Sequence, residues 1–199
     1  MWAPDYITVA QAKATERIGD AVDDLELAVD VTSASRAIDD HCNRQFGALD
    51  DPEERAYTAW YDYDLGRWRV DIDDLQDSAE LVITIGGTAV TDYILSPANA
   101  VKEGKAWTEI IFGRDAEAQP DCELYGVLAS APWGWTITGI PVPVTKATRL
   151  QTSRFAARRE SPYGVVGSPQ QGSELRLLTR VDPDVAVALR GYRRTRRAG

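Results

Sequence analysis

Residues 80–95, ELVITIGGTAVTDYIL, decide the fold class of this chain. Two runs rich in β-branched residues flank a Gly-Gly pair at 86–87, and such a pair permits the two-residue turn of a β-hairpin. Upstream, residues 67–72 alternate polar and apolar side chains, which predicts a half-buried strand. Further strands are predicted at 107–112 and 133–138. These patterns predict a small antiparallel β unit in the middle of the chain.

Helical patterns precede the β unit. Thr8 and Gln11 have the spacing of a capping box and predict a short helix that ends near Gly19. A second helix is predicted to start at Asp20 or Asp23. Apolar positions then recur at steps of four and three, which defines one buried stripe of Leu27, Val31, Ala34, Ile38 and His41. We expect Asp30, Asp39 and Asp40 to face outward.

Helical patterns also follow the β unit. The Pro-Val-Pro at 141–143 predicts an extended segment, and a helix is predicted from Val144 to Arg159. Its inward residues should be Val144, Ala147, Leu150 and Phe155, and its outward residues Arg149, Arg154, Arg158 and Arg159. Residues 161–172 have the Gly and Pro content of a loop. Asp182-Pro183 begins a last helix that runs from Val185 to about Arg190.

The predicted fold class is therefore α+β. A small α-helical bundle combines the two N-terminal helices with the C-terminal helices, and the antiparallel β unit is inserted between them. The expected parts are residues 1–50, 51–140 and 141–199, where the last part holds a helix, the loop and a basic C-terminal segment.

Charge is distributed unevenly along the chain. Residues 1–140 carry 27 Asp and Glu against 10 Lys and Arg, a net of −17, whereas residues 141–199 carry 4 against 12, a net of +8. Such asymmetry indicates a partner, which can be nucleic acid, another protein or another copy of the chain. The overall charge of −9 opposes coating of DNA by the whole molecule.

Composition bounds the class of protein further. A hydrophobic content of 44% and a charged content of 27% are typical of a globular protein. No apolar run approaches the roughly 20 residues that cross a bilayer, and the first residues lack the pattern of a secretory signal. Cys42 and Cys122 have no metal-like spacing, which favours two reduced, largely buried thiols in a cytosolic setting over a disulfide.

The sequence contains few candidates for catalytic residues. His41 is the single histidine, and its place on the apolar stripe favours a core or boundary role over that of a base. No G-x-S-x-G elbow is present. The acidic run of Asp71, Asp73 and Asp74 lacks the Gly and the distal Glu of a calcium loop, which favours a solvated strand end over a hydrolytic metal site. We therefore expect no enzyme activity, no cofactor and no metal.

Two other features can support recognition. Trp133 and Trp135 should place both indoles on one strand face, where core packing is favoured over a recognition surface. Arginines form one cluster at 154–159 and another at 190–197. The candidate partner or oligomer interface combines them with the apolar residues of the loop region: Arg154, Arg158, Arg159, Tyr163, Val165, Val166, Leu175, Arg190, Arg193, Arg194, Arg196 and Arg197.

Two stretches resemble the head–tail connector proteins of long-tailed bacteriophages, which are adaptor or head-completion proteins, and especially those of actinobacterial hosts. One is residues 6–46, a short helix, an acidic turn and a longer helix that closes on Arg44-Gln45-Phe46. The other is residues 143–167, PVTKATRLQTSRFAARRESPYGVVG in its order from Pro143, extended by 175–180 and 182–186. Together they cover about half of the chain.

The resemblance implies a structural virion protein of the neck, assembled in the host cytoplasm as a ring of about a dozen copies. The portal would lie above it and a stopper or tail-completion protein below, while viral DNA would pass through without sequence-specific binding. A closed ring needs head-to-tail contacts, which suit a chain with an acidic body and a basic end. Residues 161–172 are expected to become ordered on the portal or a neighbouring subunit.

A nucleic-acid-binding module of the cytosol, acting through the Arg-rich C-terminal region, is the alternative. It would bind DNA with steep salt dependence. No helix-turn-helix or zinc-finger pattern accompanies the arginines, which disfavours sequence-specific binding.

Overall fold

The structure is a computed structural model that describes residues 4–16, 23–136, 138–160, 165–166, 175–176 and 183–195. The chain divides into two units. A helical unit comprises residues 5–43 and 141–194, and a β unit comprises residues 44–140 with 1–4 and 195–199. The predicted α+β class is confirmed.

The helical unit begins with α1 (Val9–Glu16) and α2 (Asp24–Cys42). The predicted capping box is present, because the Thr8 and Gln11 side chains each accept a hydrogen bond from the other residue's backbone N–H, at 3.2 and 3.1 Å. Along α2 the predicted stripe is buried from Leu27 to Ile38 and continues to Cys42, while His41 at its edge is half-buried. The stripe packs α2 against α1 and α3.

The long C-terminal helix α3 (Val142–Glu160) is present, but its buried face differs from the prediction. Val144 and Ala147 are buried as expected, whereas Leu150 is 39% exposed. Polar residues replace it, and the buried face continues through Thr148, Gln151 and Thr152. The hydroxyls of the two threonines can be buried because each donates to the carbonyl one turn earlier. Thr148 donates to Val144 and Thr152 donates to Thr148, both at 2.9 Å.

Helix α4 (Pro183–Leu189) packs against α3 and is followed by a 3-10 helix at Arg190–Tyr192. Pro183 occupies the first helical position, as predicted. The predicted loop 161–172 contains a short strand, β9 (Val165–Val166), antiparallel to β10 (Leu175–Arg176). The loop prediction was wrong at these two positions, because backbone pairing with a segment outside the loop overrides its Gly and Pro content.

The β unit contains two four-stranded antiparallel sheets. The first has the order β1 (Glu53–Tyr57), β8 (Val127–Ala131), β4 (Val82–Ile85) and β5 (Thr88–Val90). The second has the order β2 (Trp60–Asp62), β3 (Arg67–Leu75), β7 (Trp107–Phe112) and β6 (Tyr93–Ser96). A 3-10 helix at Val101–Glu103 joins β6 to β7.

The hairpin prediction is confirmed for β4 and β5, which pair antiparallel with Ile85 opposite Thr88. Gly86 and Gly87 have φ values of 55° and 82°, the two left-handed positions that a type I′ turn requires. The downstream run does not stay in this sheet, however, because it divides after Val90 and its second half forms β6 in the other sheet. Inward side chains of both sheets, among them Val70, Ile83 and Ile110, share one hydrophobic cluster.

The predicted strand at 133–138 is absent, and its described residues form an irregular segment with isolated bridges. Gly134 has a φ of 119°, which turns the chain out of an extended path. Both indoles are buried, so the interpretation as core packing is confirmed over a recognition surface. They do not share a face, since Trp133 packs on Tyr57 and Trp135 packs on Phe46.

Candidate functional site

The charge asymmetry between residues 1–140 and 141–199 of the sequence is distributed differently in the folded chain. In the sequence, the ranges that make up the helical unit carry 13 acidic and 13 basic residues, because the acidic residues of α2 and the arginines of the C-terminal region fall in the same unit. Residues 44–140 of the β unit carry 18 acidic against 7 basic side chains, a net of −11. The asymmetry therefore lies between a neutral helical unit and a strongly acidic β unit.

The arginine cluster of α3 lies beside acidic residues of the same chain. Arg159 places its two terminal nitrogens 3.7 Å from Glu26 Oε2 and 3.8 Å from Asp30 Oδ2, both on α2. Burial raises the pKa of Asp30, and Arg159 opposes that rise. These distances are long and the pair is solvent-accessible, so its contribution to stability is small. Arg154 and Arg158 are half-buried on the same helix.

The second arginine cluster begins beside the end of α2. Asn43, the C-cap of α2, has a left-handed φ of 53° and donates from its side chain to the Arg194 carbonyl at 3.2 Å. The Arg194 backbone N–H donates to the Cys42 carbonyl at 2.8 Å. The described part of the C-terminal segment is thus fixed by its backbone, and the side chains of Arg190 and Arg193 are exposed.

His41 lies close to this cluster. Burial lowers the pKa of His41, and the positive charge of Arg193 lowers it further. A neutral imidazole next to an arginine avoids a second positive charge at the end of α2. The half-buried position agrees with the boundary role that the sequence predicted.

The other residues of the predicted interface lie outside the described residues or are described for the backbone alone. Tyr163, Arg196 and Arg197 lie outside the described residues. For Val165, Val166 and Leu175 the backbone is described, and Leu175 pairs opposite Val166. The structure therefore brings Arg190, Arg193 and Arg194 together at one place and sets Arg154, Arg158 and Arg159 along α3.

Two carboxylates that the sequence patterns placed in solvent, Asp39 and Asp74, are buried. Asp39 was expected to face outward, yet it is 7% exposed, accepts a hydrogen bond from the Tyr6 hydroxyl and pairs with Arg36 at 3.0 Å. Burial raises the pKa of Asp39 to about 6, against the lowering effects of Tyr6 and Arg36. The prediction was wrong because the Tyr6 partner comes from outside the helix.

Asp74 was expected at a solvated strand end, but β3 continues to Leu75 and buries it. Its Oδ2 accepts from the Trp135 indole at 2.8 Å and lies 2.8 Å from Arg44 Nε, and its Oδ1 accepts from Arg44 Nη2 at 3.1 Å. The Arg44 guanidinium also lies over the rings of Phe46 and Trp135, 5.8 and 5.5 Å from their centroids. This arrangement is a structural network within the β unit.

The two cysteines are free thiols, with Cys42 buried and Cys122 exposed, so burial is confirmed for one and wrong for the other. Within the described residues, no group of three or more His, Cys, Asp or Glu is placed to hold a metal ion. None of the helices in the same ranges is long and apolar enough to cross a membrane.

Comparison with known proteins gives one kind of similarity. No protein-family model matches the sequence, and no curated protein matches it. The fold is similar to that of a chain in a solved structure described as the neck of an empty GTA (gene transfer agent) particle, computed with C6 symmetry. The TM-score is 0.60 at 18% sequence identity, over 98% of this chain and 92% of the other. The similarity shows a shared fold that extends over both units.

Proposed function

We propose that the chain is a structural neck protein of a phage-like particle, a head–tail connector that forms a ring between the portal and the tail-side neck proteins. The observation that carries this proposal is the fold similarity to a neck chain, which spans 98% of this chain. The sequence resemblance to phage connectors, found independently in residues 6–46 and 143–167, supports the same role. No catalytic step is part of the proposal.

The charge distribution suits a ring. Subunits in a closed ring meet through two different surfaces, which must be complementary. Residues 44–140 of the β unit carry a net charge of −11, and the helical unit exposes Arg190 and Arg193, so the two units supply opposite charges for contacts with neighbouring copies or with the portal. An acidic lining would also let DNA slide, because phosphate is repelled from it. A ring of about a dozen copies is compatible with sixfold symmetry.

The test is the position and the effect of the chain in intact particles. Gold-labelled antibody against the chain should mark the neck in electron micrographs. Particles made without the chain should accumulate as heads that fail to join tails. Label on the capsid surface or the tail tip, or normal tailed particles in its absence, would overturn the proposal.

Charge-reversal variants test whether assembly depends on the basic cluster itself or only on the overall charge of the chain. Arg190→Glu with Arg193→Glu should reduce tailed particles at least tenfold, because it reverses two exposed charges of the proposed contact. Lys102→Glu with Lys105→Glu reverses two exposed charges of the β unit and should leave assembly unchanged. Equal effects of the two pairs would remove the assigned role of the arginines.

The same variants distinguish the nucleic-acid alternative. Fluorescence anisotropy with a labelled DNA duplex should show only weak binding at physiological salt, because the chain carries a net charge of −9. Tight binding that falls steeply with salt and is lost in the arginine pair would support a DNA-binding module instead.

A further inference from the structure

A pocket on the β unit combines positive charge with aromatic surface, and its arginines belong to neither of the clusters at 154–159 and 190–197. It is a cavity of about 460 Å³ at the turn between β2 and β3. Tyr61 and Trp68 supply aromatic surface, and Arg67 and Arg114 supply the charge. The remaining lining residues are Gly66, Gly113 and Gln119.

Ion pairing within the β unit singles out the two arginines of this pocket. The unit has five arginines between residues 44 and 140, and three of them pair with carboxylates: Arg44 with Asp74, Arg55 with Asp73 and Arg69 with Asp62, each at 2.8 Å. Among the described residues, neither Arg67 nor Arg114 has an ion pair. In a stretch with 18 carboxylates, the two arginines that lack one line the same cavity.

Local hydrogen bonds hold the pocket in shape. Arg67 Nη1 donates to the Phe112 carbonyl at 3.2 Å, which leaves the other donors of its guanidinium for a ligand. The Gln119 amide donates to the carbonyls of Gly113 and Arg114 at 2.8 and 3.1 Å and so fixes the loop that carries Arg114. The positive charge is therefore set on a supported backbone, which lowers the entropy lost on binding.

Two polar groups converge at the cavity. A Cβ built on Gly66 would lie 3.7 Å from both the Tyr61 hydroxyl and Arg114 Nη2, so both groups lie above the same glycine. The Asp92 carboxylate lies against Gly113, yet it does not line the cavity and forms no ion pair with Arg114. A guanidinium next to a hydroxyl is suited to a carboxylate, which accepts hydrogen bonds from both.

Apolar surface continues beyond the cavity. The Tyr61 ring lies 5.1 Å from that of Tyr63 and 5.3 Å from that of Trp68. Tyr63 is 89% exposed and Leu65 is 51% exposed, so the turn offers aromatic and aliphatic surface to a partner. Tyr, Trp and Arg are the residue types that carry most binding energy at protein interfaces.

We propose that this pocket binds a segment of a partner protein that presents one carboxylate beside an apolar or aromatic side chain. The carboxylate would meet Arg67 and Arg114, and the apolar side chain would lie on Tyr61, Tyr63 and Trp68. Nucleic acid fits less well, because a polyphosphate backbone would also meet the −11 charge of residues 44–140, whereas a segment with one carboxylate meets mainly the local arginines. This inference depends on the β unit alone and not on the proposed neck function.

The test uses the full chain labelled with ¹⁵N and the blocked tripeptide acetyl-Leu-Glu-Tyr-amide as the probe. The peptide should shift the NMR signals of the Gly66 and Gly113 amides and the Trp68 indole in a saturable manner. The matched peptide with Gln in place of Glu should bind at least tenfold more weakly, because it lacks the charge that the arginines pair with. No shift at millimolar Glu peptide, or equal binding of the two peptides, would overturn the proposal.

Variants locate the binding. Arg67→Gln and Arg114→Gln should each weaken binding of the Glu peptide about tenfold, while Lys102→Gln, which removes an exposed charge outside the cavity, should leave it unchanged. Equal weakening in the Lys102→Gln variant would mean that only net charge matters and would overturn the pocket. A DNA oligonucleotide that shifts the same signals at lower concentration than the peptide would assign the pocket to phosphate instead.

Discussion

The backbone N–H of Arg194 donates a 2.8 Å hydrogen bond to the carbonyl of Cys42, which joins the segment after the last 3-10 helix to the end of α2. The two residues are 152 positions apart. The carbonyls at the end of a helix lack partners within that helix, and here the C-terminal segment supplies one. The basic cluster is therefore anchored by its backbone, which leaves exposed arginine side chains on a fixed segment.

Asn43 allows this anchor to be tested. Asn43→Gly keeps the left-handed backbone and removes the side-chain bond to the Arg194 carbonyl, so exchange of the Arg194 amide should accelerate about fivefold, the equivalent of roughly 1 kcal/mol. Asn43→Ala should lower the free energy of unfolding by about 1 kcal/mol more than Asn43→Gly does, because Ala disfavours a φ of 53°. Hydrogen exchange and chemical denaturation measure the two effects. Unchanged exchange in Asn43→Gly would show that the side chain does not hold the segment.

The raised pKa of Asp39 predicts that the stability of the helical unit depends on pH. Its pKa is about 6 in the folded chain against 3.8 in the unfolded chain, so the folded state retains the proton over a range in which the unfolded state has lost it. The stabilisation is present below about pH 4 and is lost as the pH rises through 6. Between about pH 5 and pH 7 the free energy of unfolding should fall by about 1 kcal/mol on account of this group.

The slope should be absent in Asp39→Asn and largely kept in Asp40→Asn, an exposed neighbour on the same helix. Urea denaturation at several pH values gives the comparison, and the difference between wild type and variant removes the other titrating groups. If Asp39→Asn has the wild-type slope, the carboxyl is solvated and the pKa argument is wrong.

Sequence patterns predicted the elements whose signal is local. The Gly86-Gly87 turn, the capping box at Thr8 and the stripe along α2 each depend on residues within one or two turns of each other. The face of α3 was harder to predict, because hydropathy favours Leu150 inside. A threonine is buried instead where its hydroxyl bonds back to the helix, as Thr148 does.

The candidate sites needed contacts that no local pattern contains. The alternation that buries Val70 and Ile72 continues to Asp74, and this was a usable signal in the sequence. Its partner Arg44 lies 30 positions away and reaches it only in the folded β unit. In the same way, the neutral charge of the helical unit follows from the placement of distant acidic and basic segments together, which composition along the chain cannot show.

The Arg44–Asp74 pair should be costly to break. Asp74→Asn keeps an acceptor for the Trp135 indole but leaves the Arg44 guanidinium, whose side chain is 14% exposed, without a carboxylate. We expect a loss of about 3 kcal/mol in the free energy of unfolding. Asp77→Asn, an exposed carboxylate two residues beyond β3, should cost under about 0.5 kcal/mol. Denaturation followed by tryptophan fluorescence compares them, and similar costs would mean that the pair is solvated.

Gly134 should tolerate no side chain, because two independent constraints meet there. Its φ of 119° disfavours any L-residue, and an added Cβ would lie 2.0 Å from the carbonyl oxygen of Gly47. The same residue donates its N–H to the Asp74 carbonyl and carries the chain between the two buried indoles, so displacement would disturb the network and the core together. We expect Gly134→Ala to lower the free energy of unfolding by more than about 3 kcal/mol.

Substitution of the hairpin glycine Gly87 tests the backbone constraint without the steric one. It shares a left-handed φ, 82°, but a Cβ there would meet nothing within 4 Å, so Gly87→Ala carries only the backbone cost of about 1 kcal/mol. Urea denaturation of the two variants therefore measures the steric contribution as the difference between them. Equal losses would mean that the segment 133–135 moves away from Gly47 at little cost, and the irregular path of that segment would then not be held by the close contact between the two glycines.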